Sequence, residues 1–314
     1  AIVSSFLGDE LTAVLKSIEK DEYFGKHENI QLDTGAHVLP HFIKDNTDRN
    51  RTSPFAFTGN KFEFRMMGSS ASVANPNIIL NTAVAEALAQ FYAELKDTRP
   101  EEMEQAVHKL LKKAILNHKK VIFNGNGYSE EWVKEAEKRG LFNLVSTPDC
   151  LPQFIAPKNV DLFTKHHILT KEEIYSRYEI LLENYVKTII IEARTMAEML
   201  TKDFLPSVSA YAGEISKNAA SAKTFLPCAD TSAEEALVKS LTDSYVSITE
   251  EIARLKESIQ DAATMEDMQK AADFCHCELL SKMEALRLAA NSAEELIPDS
   301  MLPYPTYDQL LFSL

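Results

Sequence analysis

Lys61, Glu63 and Arg65, charged side chains at every second position of the stretch KFEFR, are the residues of this chain best spaced to do chemistry. The alternation predicts a short strand, with Phe62 and Phe64 on one face and the three charges on the other. Neighbours in such a row stand about 6.6 Å apart. A carboxylate between two cations suits a divalent ion and a phosphate bound together. Mg²⁺ takes few protein carboxylates and keeps phosphate oxygens in its shell. Lysine neutralises phosphate as a point charge, and arginine grips carboxylate or phosphate with a planar fork. Arg51, in the turn-rich stretch DRNRTSPFAF, could reach over the same ligand. The ordinary alternative is an amphipathic strand whose charges pair with one another in solvent. A lone carboxylate is also a weak metal site, so an ion would need ligands from elsewhere.

The elements that must position these residues are mostly helical. Residues 9–20 carry Leu11, Val14, Leu15 and Ile18 at helical spacing, with Asp9 as the expected cap, and from Tyr23 to Arg51 the periodicity fails. Pro54 and Gly59 bracket an expected turn before the strand, where Phe62 and Phe64 would back the strand against a core. Asn75 as cap and Pro76 at the first helical position predict a helix to about Lys96. Another helix is expected after Thr98 and Pro100, and Ser129 is placed to cap a short one to about Lys138. The longest helix is expected after Thr170, with its stripe of Tyr178, Leu181, Leu182, Tyr185 and Ile189 in the core and Pro206 kinking or ending it. Two long amphipathic helices near residues 232–260 and 264–291 predict an antiparallel hairpin. The proline-rich tail is expected to be extended and docked by Tyr304, Tyr307, Leu310, Leu311 and Phe312.

Composition narrows the function classes. Among 314 residues the formal net charge is −14, a field that disfavours nucleic acid and anionic membrane as partners, so an anionic ligand would need a local cationic site. No apolar run reaches the length of a membrane span, and the N-terminus does not read as a signal peptide. Four cysteines are too few for a disulfide scaffold and read as reduced thiols of a cytoplasmic protein. Nor do the remaining motifs read as sites. On a helix, Cys275 and Cys277 diverge and cannot share an ion, Pro40 spoils the helical spacing of His37 and His41, and His166 and His167 read as a helix-end pair. The NGNG of residues 124–127 could form a phosphate-binding nest, but a helix connection is the simpler reading.

The stretch DRNRTSPFAFTGNKFEFRMMGSSASVANPNIILNTAVAEAL resembles the C-terminal catalytic region of glutamine synthetase, in its long type III form. NGNGYSEEW, STPDCLPQFIAPKNVDLFTKH and the helical remainder are similar to the same form. The resemblance implies an ATP-dependent ligase that joins ammonia to glutamate through a γ-glutamyl phosphate, using Mg²⁺ or Mn²⁺. By that resemblance Glu63 matches a metal ligand at the nucleotide phosphates, and Arg65 an arginine that holds the substrate carboxylate. Arg51 matches an arginine that stabilises the phosphoryl group, and Lys61 stands where better-known forms have an arginine near the nucleotide. Asn75 and Pro76 match an NP that closes the wall of the site.

The departures from the family pattern are equally specific. Ala56 stands where shorter forms have a second arginine. The family's substrate flap, its other metal ligands and its ammonium-binding acid would precede Ala1. The chain is therefore expected to be part of a longer enzyme and inactive alone. The fold expected is mainly α with a small β component. Residues 1–98 would be the C-terminal part of the glutamine synthetase catalytic domain, 99–226 a helical region, and 227–314 a helical hairpin with an extended tail. The family also implies a homo-oligomer of stacked rings. The rival reading is a non-catalytic helical scaffold whose C-terminal hairpin drives assembly.

Overall fold

The computed structural model describes residues 2–22, 31–32, 42–43, 52–69 and 71–312. The chain is mainly α with a small β component, and it divides into two compact units. The first comprises residues 1–145 and 157–170, the second residues 146–156 and 171–314.

The first unit is built around a three-stranded sheet. Its elements run β1 (Ser5–Phe6), α1 (Gly8–Lys20), β2 (Gln31–Leu32), β3 (Phe42–Ile43), β4 (Phe55–Phe57), β5 (Phe62–Phe64), α2 (Ala74–Leu95), α3 (Met103–His118), α4 (Glu130–Lys138) and α5 (Pro157–Lys165). The strand order is β1–β4–β5, with β1 parallel and β5 antiparallel to β4, while β2 and β3 form a separate antiparallel pair. β5 is the strand expected from alternation. β4 is a correction: three of the residues read as a turn between Pro54 and Gly59 are extended, and the reversal falls after them, where Thr58 N–H donates to the Lys61 carbonyl at 2.8 Å. The Phe55, Phe57, Phe62 and Phe64 rings meet on one face, with Phe55 and Phe62 stacked at 5.3 Å. That face is only partly covered, since Phe62 stays 47% exposed rather than sealed against a core.

Helix entrances also differ from expectation. α2 starts after Val73, so Asn75 and Pro76 lie inside its first turn and Asn75 is not the cap. α1 starts after Leu7, one residue before the expected cap Asp9. The side-chain carbonyl of Asn124 accepts from the backbone N–H groups of Leu7 and Gly8 at 3.0 and 3.2 Å. Ser129 does cap α4, accepting from Trp132 N–H at 3.3 Å.

The second unit is a helical assembly of α6 (Lys171–Met199), α7 (Leu205–Phe225), α8 (Ser232–Thr264), α9 (Met268–Phe274), α10 (Leu280–Glu294) and a short tail helix α11 (Tyr307–Leu311). Leu182, Phe204, Leu241, Ile248, Leu255, Leu279 and Leu286 lie at 0–1% exposure in one continuous apolar core. Each such side chain contributes about 1.5–3 kcal/mol of burial free energy. Leu181 sits at the edge of the expected stripe and is 36% exposed, whereas Leu182 and Ile189 are buried. Ahead of Pro206 the α-helical pattern of α6 stops at Met199, but the chain stays helical through it. Residues Leu200–Phe204 widen into a π turn and α7 continues beyond it. Proline removes one helical donor and crowds the carbonyl four residues back, and a wider turn relieves both problems. The longest helix is α8, with 33 residues, rather than α6 with 29. The tail is not simply extended. Tyr304 stacks on Phe204 at 6.2 Å, but Leu310, Leu311 and Phe312 are 58–82% exposed on or just after α11 and do not dock.

Candidate functional site

The β4–β5 hairpin gathers the charges that the sequence spaced apart. Glu63 is paired across the strands with Ala56. Directly opposed residues share a face, so the carboxylate rises beside the smallest possible chiral side chain, itself fully buried. Arg65 donates to Glu63 Oε2 from Nε at 3.2 Å and from Nη2 at 3.0 Å. Lys61 Nζ stands 3.5 Å from Oε1, and the Thr58 hydroxyl donates to Oε1 at 3.4 Å. Lys61, Glu63 and Arg65 thus form one connected row, graded from 66% exposed at Lys61 through 39% at Glu63 to 14% at Arg65. The hydrogen bonds from Arg65 hold the Glu63 carboxyl below its ordinary pKa, Lys61 adds to the effect and partial burial opposes it. The carboxylate is therefore ionised across the neutral range and can ligate a cation without first losing a proton. Arg51 lies outside the described residues, as do His37 and His41.

A frame of distant segments holds this row. Arg65 N–H donates to the Pro54 carbonyl at 2.7 Å, which fixes the end of β5 to the start of β4. Phe123 N–H donates to the Ser5 carbonyl at 3.0 Å, and Ile122 bridges Ser5, so this segment lies along the far edge of β1. Gly127 N–H donates to the Thr52 carbonyl at 2.7 Å. The Asn126 side chain accepts from Tyr128 N–H at 3.0 Å. The Gly127 amide and the one that follows the NGNG are thereby committed inside the protein, and the stretch is the helix connection, a structural clamp entering α4. Beside it, the hydroxyls of Ser4 and Ser53 are buried with no partner among the described residues, as is the indole N–H of Trp132. An unsatisfied buried polar group costs about 1–3 kcal/mol.

A second polar cluster escaped the sequence reading. Glu86 on α2 accepts from Lys165 Nζ at 2.8 Å and from Gln90 at 2.8 Å, and its Oε2 lies 2.7 Å from His166 Nε2. These bonds, led by Lys165, bring the Glu86 pKa down to about 2. His166 and Lys165 stand where α5 ends and His167 turns into the left-handed region at φ 54°. Nothing local in the sequence joins Glu86 to residues some 80 positions away. The only available cue was that a helix-end His beside Lys invites a carboxylate.

The described residues hold no group of three or more His, Cys, Asp or Glu side chains able to hold a metal ion. One ionised, partly exposed carboxylate flanked by cations fits a Mg²⁺ or Mn²⁺ bound mainly through phosphate oxygens, and does not fit an ion caged by this chain alone.

A family profile described as the glutamine synthetase C-terminal domain matches residues 106–223. A glutamine synthetase of Butyrivibrio fibrisolvens is 45% identical over 100% of this chain. The chain matches the C-terminal part of glutamine synthetases. A type-3 glutamine synthetase of Dictyostelium discoideum is 35% identical over 99% of the chain, and a glutamine synthetase of Bacteroides fragilis is 31% identical over 100%. The chain spans 45%, 43% and 44% of the length of these three glutamine synthetases, respectively. The matched span therefore includes the hairpin as well as the helices.

Proposed function

We propose that this chain is part of an ATP-dependent ligase that joins ammonia to the γ-carboxyl of glutamate through a γ-glutamyl phosphate. The observation that carries the reading is the connected row of Lys61, Glu63 and Arg65 on a short hairpin, in a chain that matches glutamine synthetases along its whole length. Glu63 contributes one carboxylate ligand toward Mg²⁺ or Mn²⁺ at the nucleotide phosphates. Such an ion, when bound, neutralises phosphate charge as the phosphoryl group moves. Lys61, the most exposed member, reaches the nucleotide. Arg65 orients the substrate carboxylate through its guanidinium charge, the group being held in place by Glu63 and the frame beneath it. Arg51 steadies the transferring phosphoryl group. Catalysis of this kind comes mainly from positioning and from charge neutralisation where water is excluded.

The segment supplies only part of that site. One carboxylate cannot hold the ion by itself. Moreover, Ile78, Ile79, Val84, Leu88 and Tyr92 of α2 are 39–70% exposed, an apolar face that supports completion by further polypeptide. The enzyme acts as a cytoplasmic homo-oligomer. The test is an ATP-, ammonia- and glutamate-dependent assay of phosphate and glutamine release. The full-length protein is expected to turn over and purified residues 1–314 are not. Robust turnover by residues 1–314 alone overturns the partial-site reading, and an inactive full-length protein overturns the ligase.

A further inference from the structure

We infer that Gly127 is a positioning residue for the metal-facing carboxylate of Glu63. The inference rests on the proposed ligase reading. Gly127 is buried, and its N–H holds the Thr52 carbonyl at 2.7 Å. A Cβ built on Gly127 would stand 3.0 Å from Cδ of Pro54, 3.2 Å from Oγ of Ser4 and 3.2 Å from the Thr52 carbonyl oxygen. All three contacts belong to segments leading into the sheet, and two of the three are on the strand arm before β4. Pro54 is itself fully buried, so its ring has little room to yield. The next link is direct: the Pro54 carbonyl accepts Arg65 N–H at 2.7 Å, and Arg65 grips Glu63 Oε2 with two donors. A displacement at residue 127 is therefore passed through Thr52 and Pro54 to Arg65 and Glu63, over two backbone hydrogen bonds and one side-chain pair.

The surroundings argue for geometry over stability as the reason for this close approach. The Ser4 hydroxyl beside it and the hydroxyl of Ser53, between Thr52 and Pro54 in the chain, are buried without partners among the described residues. A buried polar group without a partner calls for an explanation, and a position required by the neighbouring site is one. On the other side, the loop is anchored independently by Asn126, by the Ser129 cap and by Trp132 stacked on Phe123 at 4.3 Å, so Gly127 presses from a fixed base.

The test is a Mn²⁺ titration of the full-length protein with ADP present, followed by electron paramagnetic resonance, alongside thermal unfolding. Gly127→Ala is expected to weaken Mn²⁺ binding about tenfold or more, the range seen when groups orienting a metal ligand are disturbed. In the double variant with Glu63→Gln, the loss should not exceed that of Glu63→Gln alone, because both act on one ligand. Unchanged Mn²⁺ affinity in folded Gly127→Ala, or losses that add in the double variant, overturns the inference. Should Gly127→Ala fail to fold, Pro54→Ala removes the ring instead of pressing on it. A several-fold weaker Mn²⁺ affinity is then expected, and an unchanged one overturns the inference. The two proposals fail separately. If Glu63→Gln leaves Mn²⁺ binding intact, the metal assignment falls; if it does not and Gly127→Ala does, positioning alone falls.

Discussion

The two units hold their shape by different means. In the second, long helices bury a continuous apolar core in which Leu241, Ile248, Leu255, Leu279 and Leu286 are sealed from solvent, and no single hydrogen bond decides the arrangement. In the first, strands of two and three residues are too short to specify a sheet by pattern. Position is fixed instead by individual bonds between segments far apart in the chain, such as Gly127 to Thr52 and Asn124 to Leu7 and Gly8. A core spread over many side chains resists small displacements. A frame of single bonds transmits them, which is useful where a carboxylate must be aimed and hazardous everywhere else.

The comparison breaks most visibly if the core is opened. Phe204 is fully buried and stacked by Tyr304, and the burial pushes the Tyr304 phenol pKa up to about 12. Phe204→Ala is expected to cost about 3–5 kcal/mol, as large cavities in a packed core do. Calorimetry of the full-length protein should show the loss. A cost below about 1 kcal/mol would mean that the site collapses freely and the core is not tightly packed.

At the hairpin the expectation reverses, with function lost and the fold kept. Glu63 is 39% exposed, so Glu63→Ala opens no cavity. It should reduce turnover roughly 100-fold or more, the scale of removing one preorganised electrostatic group. Circular dichroism should stay unchanged. Near-normal kcat at low Mg²⁺ would retire the metal role of Glu63.

Much of the helical unit was legible because long periodic segments announce themselves. The paired helices after Thr231 and the breaks around residues 226 and 265 left local signals. At Pro206 a π turn absorbs what proline removes and the chain stays helical, which nothing in the chain next to it says. The capping box of Thr306 and Gln309 that starts α11 was readable as a T-x-x-Q pattern and was overshadowed by the surrounding prolines. At the candidate site the order is inverted. The row of Lys61, Glu63 and Arg65 was legible residue by residue, while the sheet that carries it was not, since β4 is three residues enclosed by Pro54 and Gly59. The place of Gly127 beneath Pro54 depends wholly on tertiary packing.

A weaker effect distinguishes the polar tethers of the first unit from its frame. Glu86 has its pKa lowered from 4.5 to about 2 by Lys165, Gln90 and His166. The folded state therefore holds the ionised form, and the stability this gives is fully present above pH 4.5 and lost as pH falls toward 2. Glu86→Gln should flatten the acid limb of the unfolding profile in that window and leave neutral-pH turnover unchanged. An acid limb identical to that of the parent would show that the cluster is not coupled to folding.

The smallest test uses one substitution in both units and expects opposite signs. Gly213 lies within α7, and a Cβ there would meet nothing within 4 Å. Its backbone is helical, so Gly213→Ala should stabilise by about 0.5–1 kcal/mol by removing unfolded-state freedom. Gly140 also has open space around it, but its φ is 66°. It ends α4 by donating to the Glu137 carbonyl at 2.9 Å, while Leu141 N–H returns to the Ala136 carbonyl at 2.9 Å and the Leu141 side chain packs beside Trp132. An alanine must be forced into that left-handed position, so Gly140→Ala should destabilise by about 1 kcal/mol despite the free volume. Urea unfolding of the two variants separates space from backbone conformation. Gains in both would mean that the α4 terminus relaxes without penalty, and the first unit would then be less exactingly framed than its hydrogen bonds indicate.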